Sequence, residues 1–182
     1  NMVIVVPADA ASCTVAAREV LKYVGPAYLR IGRGAVEQVF DSNYKFVLGK
    51  ANLLDAAGTD VAVICNGCAV ARVLRAKAIW EGSGIHARII EMPTVKPIDS
   101  DAILSAAHDC GRIVTVEEHN IIGGLGSAVC ELLGEKCPVP VVRHGVNDEF
   151  GRSGSAADVL EYFGLTPQGV AEKAKFALSL KK

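Results

Sequence analysis

The sequence predicts an α/β fold: a three-layer domain with a mainly parallel (mixed) sheet and helices on both faces. Short runs such as Asp60-Val61-Ala62-Val63-Ile64-Cys65 and Arg112-Ile113-Val114-Thr115-Val116 are apolar along nearly their whole length, as a strand must be when both its faces are buried. These runs alternate with segments of broadly helical apolar spacing, the order that builds βαβ units with right-handed crossovers. With 182 residues, 51% hydrophobic and 21% charged, the chain can bury a real core.

Residues 2–6 read as the first strand. Pro7-Ala8-Asp9 follows, and Asp9 is placed to cap a helix running to about residue 24. Gly25-Pro26 breaks the chain, and 27–31 form a second strand. Gly32-Arg33-Gly34 then permits a tight backbone path. Residues 35–46 are more polar, with Asp41-Ser42-Asn43 as a turn signal. A domain boundary is expected here, dividing 1–44 from 45–182. A chain that opens directly on a strand is also expected to have been cut from something longer.

Beyond the boundary, 46–54 suit an edge strand or hairpin arm, and 60–65 a buried strand. A helix over 67–81 stops at Gly82-Ser83-Gly84, and 87–91 form the next strand. Asp99 caps a helix to about 110, which Gly111 ends. A strand over 112–116 leads to the turn Gly123-Gly124-Leu125-Gly126 and a helix to about 133. The last strand is expected at 139–142, then a helix over 156–163. Thr166-Pro167 opens the final helix with a hydroxyl cap and a proline in its first turn.

Net charge is −1 and both signs are dispersed, so nucleic acid is not an expected partner. No apolar run reaches the roughly 18 residues of a membrane helix, and no membrane partner is expected. The chain has 6 cysteines, and no secretory signal is expected. Reduced thiols and a cytoplasmic location are expected.

Three motifs could carry chemistry. Glu117-Glu118-His119 lies at a strand end, where open α/β sheets place functional groups. Gly123, Gly124 and Gly126 follow before a helix. Gly124 and Gly126 fit the first positions of a dinucleotide turn, but Val129 stands where the third glycine belongs. The turn could approach a phosphate or pack closely against the sheet or a partner. The acidic pair and the imidazole could do acid–base work or serve as solvated or interface charges. Cys65-Asn66-Gly67-Cys68 is a lone CxxC, either redox-active or a pair of inert buried thiols. His86, His108 and His144 form no metal pair. Arg30 and Arg33 flank Gly32, and a guanidinium on a flexed loop can hold a phosphate through its planar fork or simply be salt-bridged.

Taken in order, these segments resemble the transketolase family. Val6-Pro7-Ala8-Asp9-Ala10 and Tyr28-Leu29-Arg30-Ile31-Gly32-Arg33-Gly34 look like the end of its pyrimidine-binding domain. Thr94-Val95-Lys96-Pro97-Ile98-Asp99, Thr115-Val116-Glu117-Glu118-His119 and Gly145-Val146-Asn147-Asp148-Glu149-Phe150-Gly151-Arg152-Ser153-Gly154 look like its C-terminal domain. The resemblance is greatest to transketolase and the C-terminal section of split transketolases, and weaker to deoxyxylulose-phosphate synthase.

The resemblance implies ketol transfer between sugar phosphates in the pentose phosphate pathway. It implies thiamine diphosphate and Mg2+ in the complete enzyme, neither held by this chain alone. It also implies a homodimer that includes the N-terminal portion or subunit of the same enzyme. Arg33 matches the family's substrate-phosphate arginine, with Arg30 a weaker candidate. Glu117, Glu118, His119, Gly123, Gly124 and Gly126 remain a candidate interface or functional turn, and no catalytic residue is assigned. The family's Gly-Asp-Gly cofactor motif does not occur in the chain, so the chain alone is expected to be inactive. The rival reading is a free-standing phosphate- or nucleotide-binding α/β module.

Overall fold

The structure is a computed structural model and describes residues 1–180. Its strands are β1 (Val3–Val5), β2 (Ala27–Leu29), β3 (Asn52–Asp55), β4 (Val61–Cys65), β5 (Ala87–Glu91), β6 (Thr94–Lys96), β7 (Ile113–Asn120) and β8 (Val141–Val146). Its helices are α1 (Ala10–Val20), α2 (Ala69–Glu81), α3 (Ser100–Cys110), α4 (Leu125–Lys136), α5 (Ala156–Tyr162) and α6 (Pro167–Ser179).

The larger sheet has the order β3-β5-β4-β7-β8. Its β5, β4, β7 and β8 run parallel, and β3 is an antiparallel edge. The apolar run of β4 explains why it is central. Val61, Val63 and Cys65 pack with Val70, Val73 and Trp80 of α2 and Val170 and Ala174 of α6. Ala62 and Ile64 point the other way, into Ile103 of α3 and Leu125, Val129 and Leu133 of α4. Burying one side chain such as Ile64 contributes roughly 1.5–3 kcal/mol. The three layers are therefore α2 and α6, the sheet, and α3 and α4, as expected from sequence.

A smaller sheet has the order β2-β1-β6, with β1 parallel to β2 and antiparallel to β6. Sequence reading missed β6, a three-residue strand directly behind Met92-Pro93. It joins β1 to the far part of the chain, and Val6 N also donates to Pro93 O at 2.8 Å.

Several boundaries differ from expectation. The first helix ends at Val20, not near Val24. The amides of Lys22 and Tyr23 donate to carbonyls three residues back, a tightened last turn, and Val24 is 97% exposed. β7 extends to Asn120, so Glu117-Glu118-His119 is strand rather than turn. β8 begins at Val141 and not at 139, because Pro140 lacks the donor a ladder needs. Of residues 46–54, only the last part becomes strand.

Segment 35–50 carries no regular strand or helix but is firmly held. Phe46 is buried with Val5 and Ala16, and Tyr44 and Leu48 pack beside them. Asp9 caps α1 through Ser12 N, and its other oxygen accepts from Val39 N and Phe40 N at 2.8 and 2.7 Å. These bonds hold its carboxyl below the usual range even though burial opposes them.

Candidate functional site

The end of β2, the start of α2 and the end of β7 converge on a cleft of about 780 Å³. Arg33, Arg72 and Arg75 line it opposite Glu37 and Glu118. Val146, Val159, Leu160 and Phe163 form an apolar wall. Arg72 and Arg75 lie three residues apart on α2 and therefore share a face.

The loop after β2 lies close against α2. A Cβ at Gly32 would stand 3.1 Å from Cys68 Sγ, so glycine lets the backbone cross that thiol. Arg30 Nη2 donates to the carbonyl oxygen of Glu118 at 2.9 Å. Arg72 Nη2 donates to Glu118 Oε2 at 3.1 Å, and Arg75 Nη2 meets Glu37 Oε2 at 2.5 Å. Arg33 is exposed on the cleft and makes no ion pair among the described residues. The two sequence candidates are thus differently placed: Arg30 is engaged by the fold, and Arg33 is free. Sequence reading passed over Arg72, Arg75 and Glu37. The three-residue spacing of the arginines on a predicted helix was the available signal.

The β7–α4 corner is built differently. Glu117 is 2% exposed, which corrects its reading as a solvated or interface charge. Its oxygens accept from Leu125 N at 2.7 Å and Gly126 N at 2.8 Å. The amides at the start of α4, where a phosphate would bind, are therefore occupied by the chain's own carboxylate. A Cβ on Gly124 would collide with that carboxylate, and one on Gly126 would come within 2.8 Å of Thr115 Oγ1. Gly123 has φ +77° with open space around it, and its amide donates to Ser127 Oγ. His119 is exposed, with Nδ1 2.7 Å from its neighbour's carbonyl and 3.9 Å from Glu117 Oε2. Glu118 belongs to the cleft.

Burial raises the thiols of both Cys65 and Cys68, with Glu91 and Glu118 respectively as further causes. That opposes the thiolate a redox role requires. Among the described residues no group of three or more His, Cys, Asp and Glu is arranged to hold a metal ion.

Glu91 is a further charged residue that sequence reading missed, and it does not line the cleft. It lies fully buried at the C-terminal end of β5. Tyr44 Oη donates to both its oxygens at 3.1 Å, and Asn52 Nδ2 to one at 2.9 Å. Burial pushes its carboxyl up to about 7, against the pull of those bonds. Its place at the end of an apolar strand was the one signal the sequence offered.

Residues 49–170 match the sequence profile described as transketolase, C-terminal domain. A 6-deoxy-6-sulfo-D-fructose transketolase subunit from Clostridium sp. strain MSTE9 is 41% identical over 174 residues, covering 96% of this chain and 54% of that protein. An apulose-4-phosphate transketolase subunit from Phocaeicola vulgatus is 41% identical over 176 residues, covering 96% and 55%. A solved split gene transketolase, described as an inactive beta4 tetramer, superposes with a TM-score of 0.96 at 42% identity, over 100% of this chain and 59% of its own. The chain spans about half the length of the relatives it matches. The profile match, the sequence identity and the backbone superposition run along the chain, which belongs to the transketolase family and carries its C-terminal domain.

Proposed function

We propose that this chain is the C-terminal part of a thiamine-diphosphate-dependent ketol transferase, acting with an N-terminal portion or subunit in a dimeric assembly. Its role is structural support and dimer contact, together with one residue, Arg33, that binds the anionic group of a sugar substrate. The observation that carries this reading is the free guanidinium of Arg33 in a cleft where its neighbours Arg72 and Arg75 are already paired. A charged fork there can donate two hydrogen bonds to a phosphate oxygen pair. The relatives named for apulose-4-phosphate and for a sulfo-sugar fit the same reading, since each name specifies a sugar with an anionic group.

Thiamine diphosphate would supply the electron sink for carbon–carbon cleavage. The metal–diphosphate donors lie outside this chain, whose own residues bind and orient the substrate's anion. Localisation in the cytoplasm, with phosphorylated sugars as substrates, completes the proposal.

Calorimetry with thiamine diphosphate and Mg2+ tests it, first on the purified chain and then after adding the N-terminal portion. Binding and ketol transfer are expected only in the combined sample. Micromolar binding by the chain alone would overturn the assignment of the cofactor site to the partner.

A further inference from the structure

We infer that Arg30 is a positioning residue for Arg33: its bond to the Glu118 carbonyl fixes the loop that presents Arg33 to the substrate's anion. The inference rests on the reading of Arg33 as the anion-binding residue.

Arg33 stands on an exposed loop between two anchors. Downstream, the amides of Val39 and Phe40 are held by the Asp9 carboxylate. Upstream, Arg30 N donates to Val5 O at 2.8 Å, which secures the backbone as it leaves β2. The side chain of Arg30 adds something the strand does not need. It reaches across to β7 and donates to Glu118 O at 2.9 Å, joining residues 88 apart in sequence. The carboxylate of the same Glu118 binds Arg72 of α2, so the acceptor is itself held against a helix of the main core.

Arg30 is therefore committed to a backbone carbonyl, and the loop of Arg33 is tied to the large sheet rather than to the small one alone. A loop ordered before binding loses less entropy when an anion arrives. The direction in which Arg33 projects then follows the end of β7. The C-terminal domain sets anion recognition in this way without touching substrate.

The test uses the assembled enzyme, with glyceraldehyde 3-phosphate and glyceraldehyde as acceptor probes. The readout is the ratio of their kcat/KM values. Arg30→Met keeps the aliphatic stem and removes the donor. It is expected to lower the ratio on the order of tenfold, as a misplaced binding group does, mostly through KM for the phosphorylated probe. Arg30→Lys, which retains one donor for the carbonyl, should recover most of the ratio. Arg30→Gln replaces Met where Met impairs folding. In an Arg33→Ala background, Arg30→Met should change nothing further.

A normal ratio in Arg30→Met beside a lowered one in Arg33→Ala overturns the positioning role and leaves Arg33 standing. A normal ratio in Arg33→Ala overturns the Arg33 reading itself. Additive losses in the double variant would mean that Arg30 contacts the anion directly, which also overturns positioning. A Lys variant as low as Met would remove the carbonyl tie as the cause.

Discussion

The β7–α4 corner and the segment from Arg30 to Asn52 both bring charged groups to the end of a strand, and they use them in opposite ways. In the corner, the Glu117 carboxylate is satisfied by the backbone amides of Leu125 and Gly126, and glycine leaves it room. The two amides are thereby occupied by the chain itself. The segment from Arg30 to Asn52 is held mainly through side chains, at Asp9, Glu91, Glu118 and Arg75, and Arg33 is left free in the cleft. A glycine-rich helix start is an anion site only while its amides are unoccupied. The region of irregular backbone, and not the motif-like turn, retains an unsatisfied charge.

The largest expected effect breaks the corner. Gly124→Val places a branched side chain where the Glu117 carboxylate sits. The carboxylate must leave, and two amides lose their acceptor. The cost should be about 4 kcal/mol or more, the range of buried network disruption. Denaturant unfolding measures it. A variant as stable as the parent would mean that the corner can open and that its amides are available to a ligand after all.

The second effect separates the side-chain-held segment by pH. Glu91 is pushed up to about 7 from 4.5. Between those values the folded state keeps a proton that the unfolded chain releases, so this group's stabilisation is complete below the unfolded value and is lost as pH rises to about 7. The shift corresponds to about 3 kcal/mol. His144 acts oppositely: burial, then Lys173, lowers it to about 4 from 6.5. Its stabilisation is present above 6.5 and is lost as pH falls to about 4. The two slopes nearly cancel between 4.5 and 6.5. Glu91→Gln should remove one of them, leaving stability that climbs with pH across that window. An unchanged flat profile in chemical unfolding would rule out Glu91 as a retained proton.

Arg33→Ala comes next. Removing one charge-assisted contact should cost about 1.5–3 kcal/mol in kcat/KM for a phosphorylated substrate, and less for its unphosphorylated counterpart. Equal losses would remove the anion-binding role and with it the functional contrast between the two regions.

The layered fold was legible because both-face burial leaves a continuous apolar signature in a strand such as β4. Caps such as Asp9, Asp99 and Thr166 were legible because they act within a few residues. What escaped notice depends on groups distant in sequence. Glu117 looked like a surface charge because its partners are amides rather than an opposite charge. Glu91 gained its meaning from Tyr44 and Asn52, on a segment with no periodicity. The strand β6 was too short to show a period, and only its pairing with β1 makes it one.

The smallest effect tests which contacts in the cleft are worth anything. Glu37 and Arg75 approach to 2.5 Å, but their side chains are 45% and 63% exposed. Water and salt screen such a pair, and holding two long side chains together costs rotamer entropy. A double-mutant cycle of Glu37→Ala and Arg75→Ala should therefore give a coupling of about 0.5 kcal/mol or less, vanishing in roughly 1 M salt. Arg72 and Glu118 are only 19% and 38% exposed, and their cycle should give the larger value. Were the Glu37–Arg75 coupling the larger, the loop of Arg33 would be held from its middle by α2, and the tie at Arg30 would be secondary.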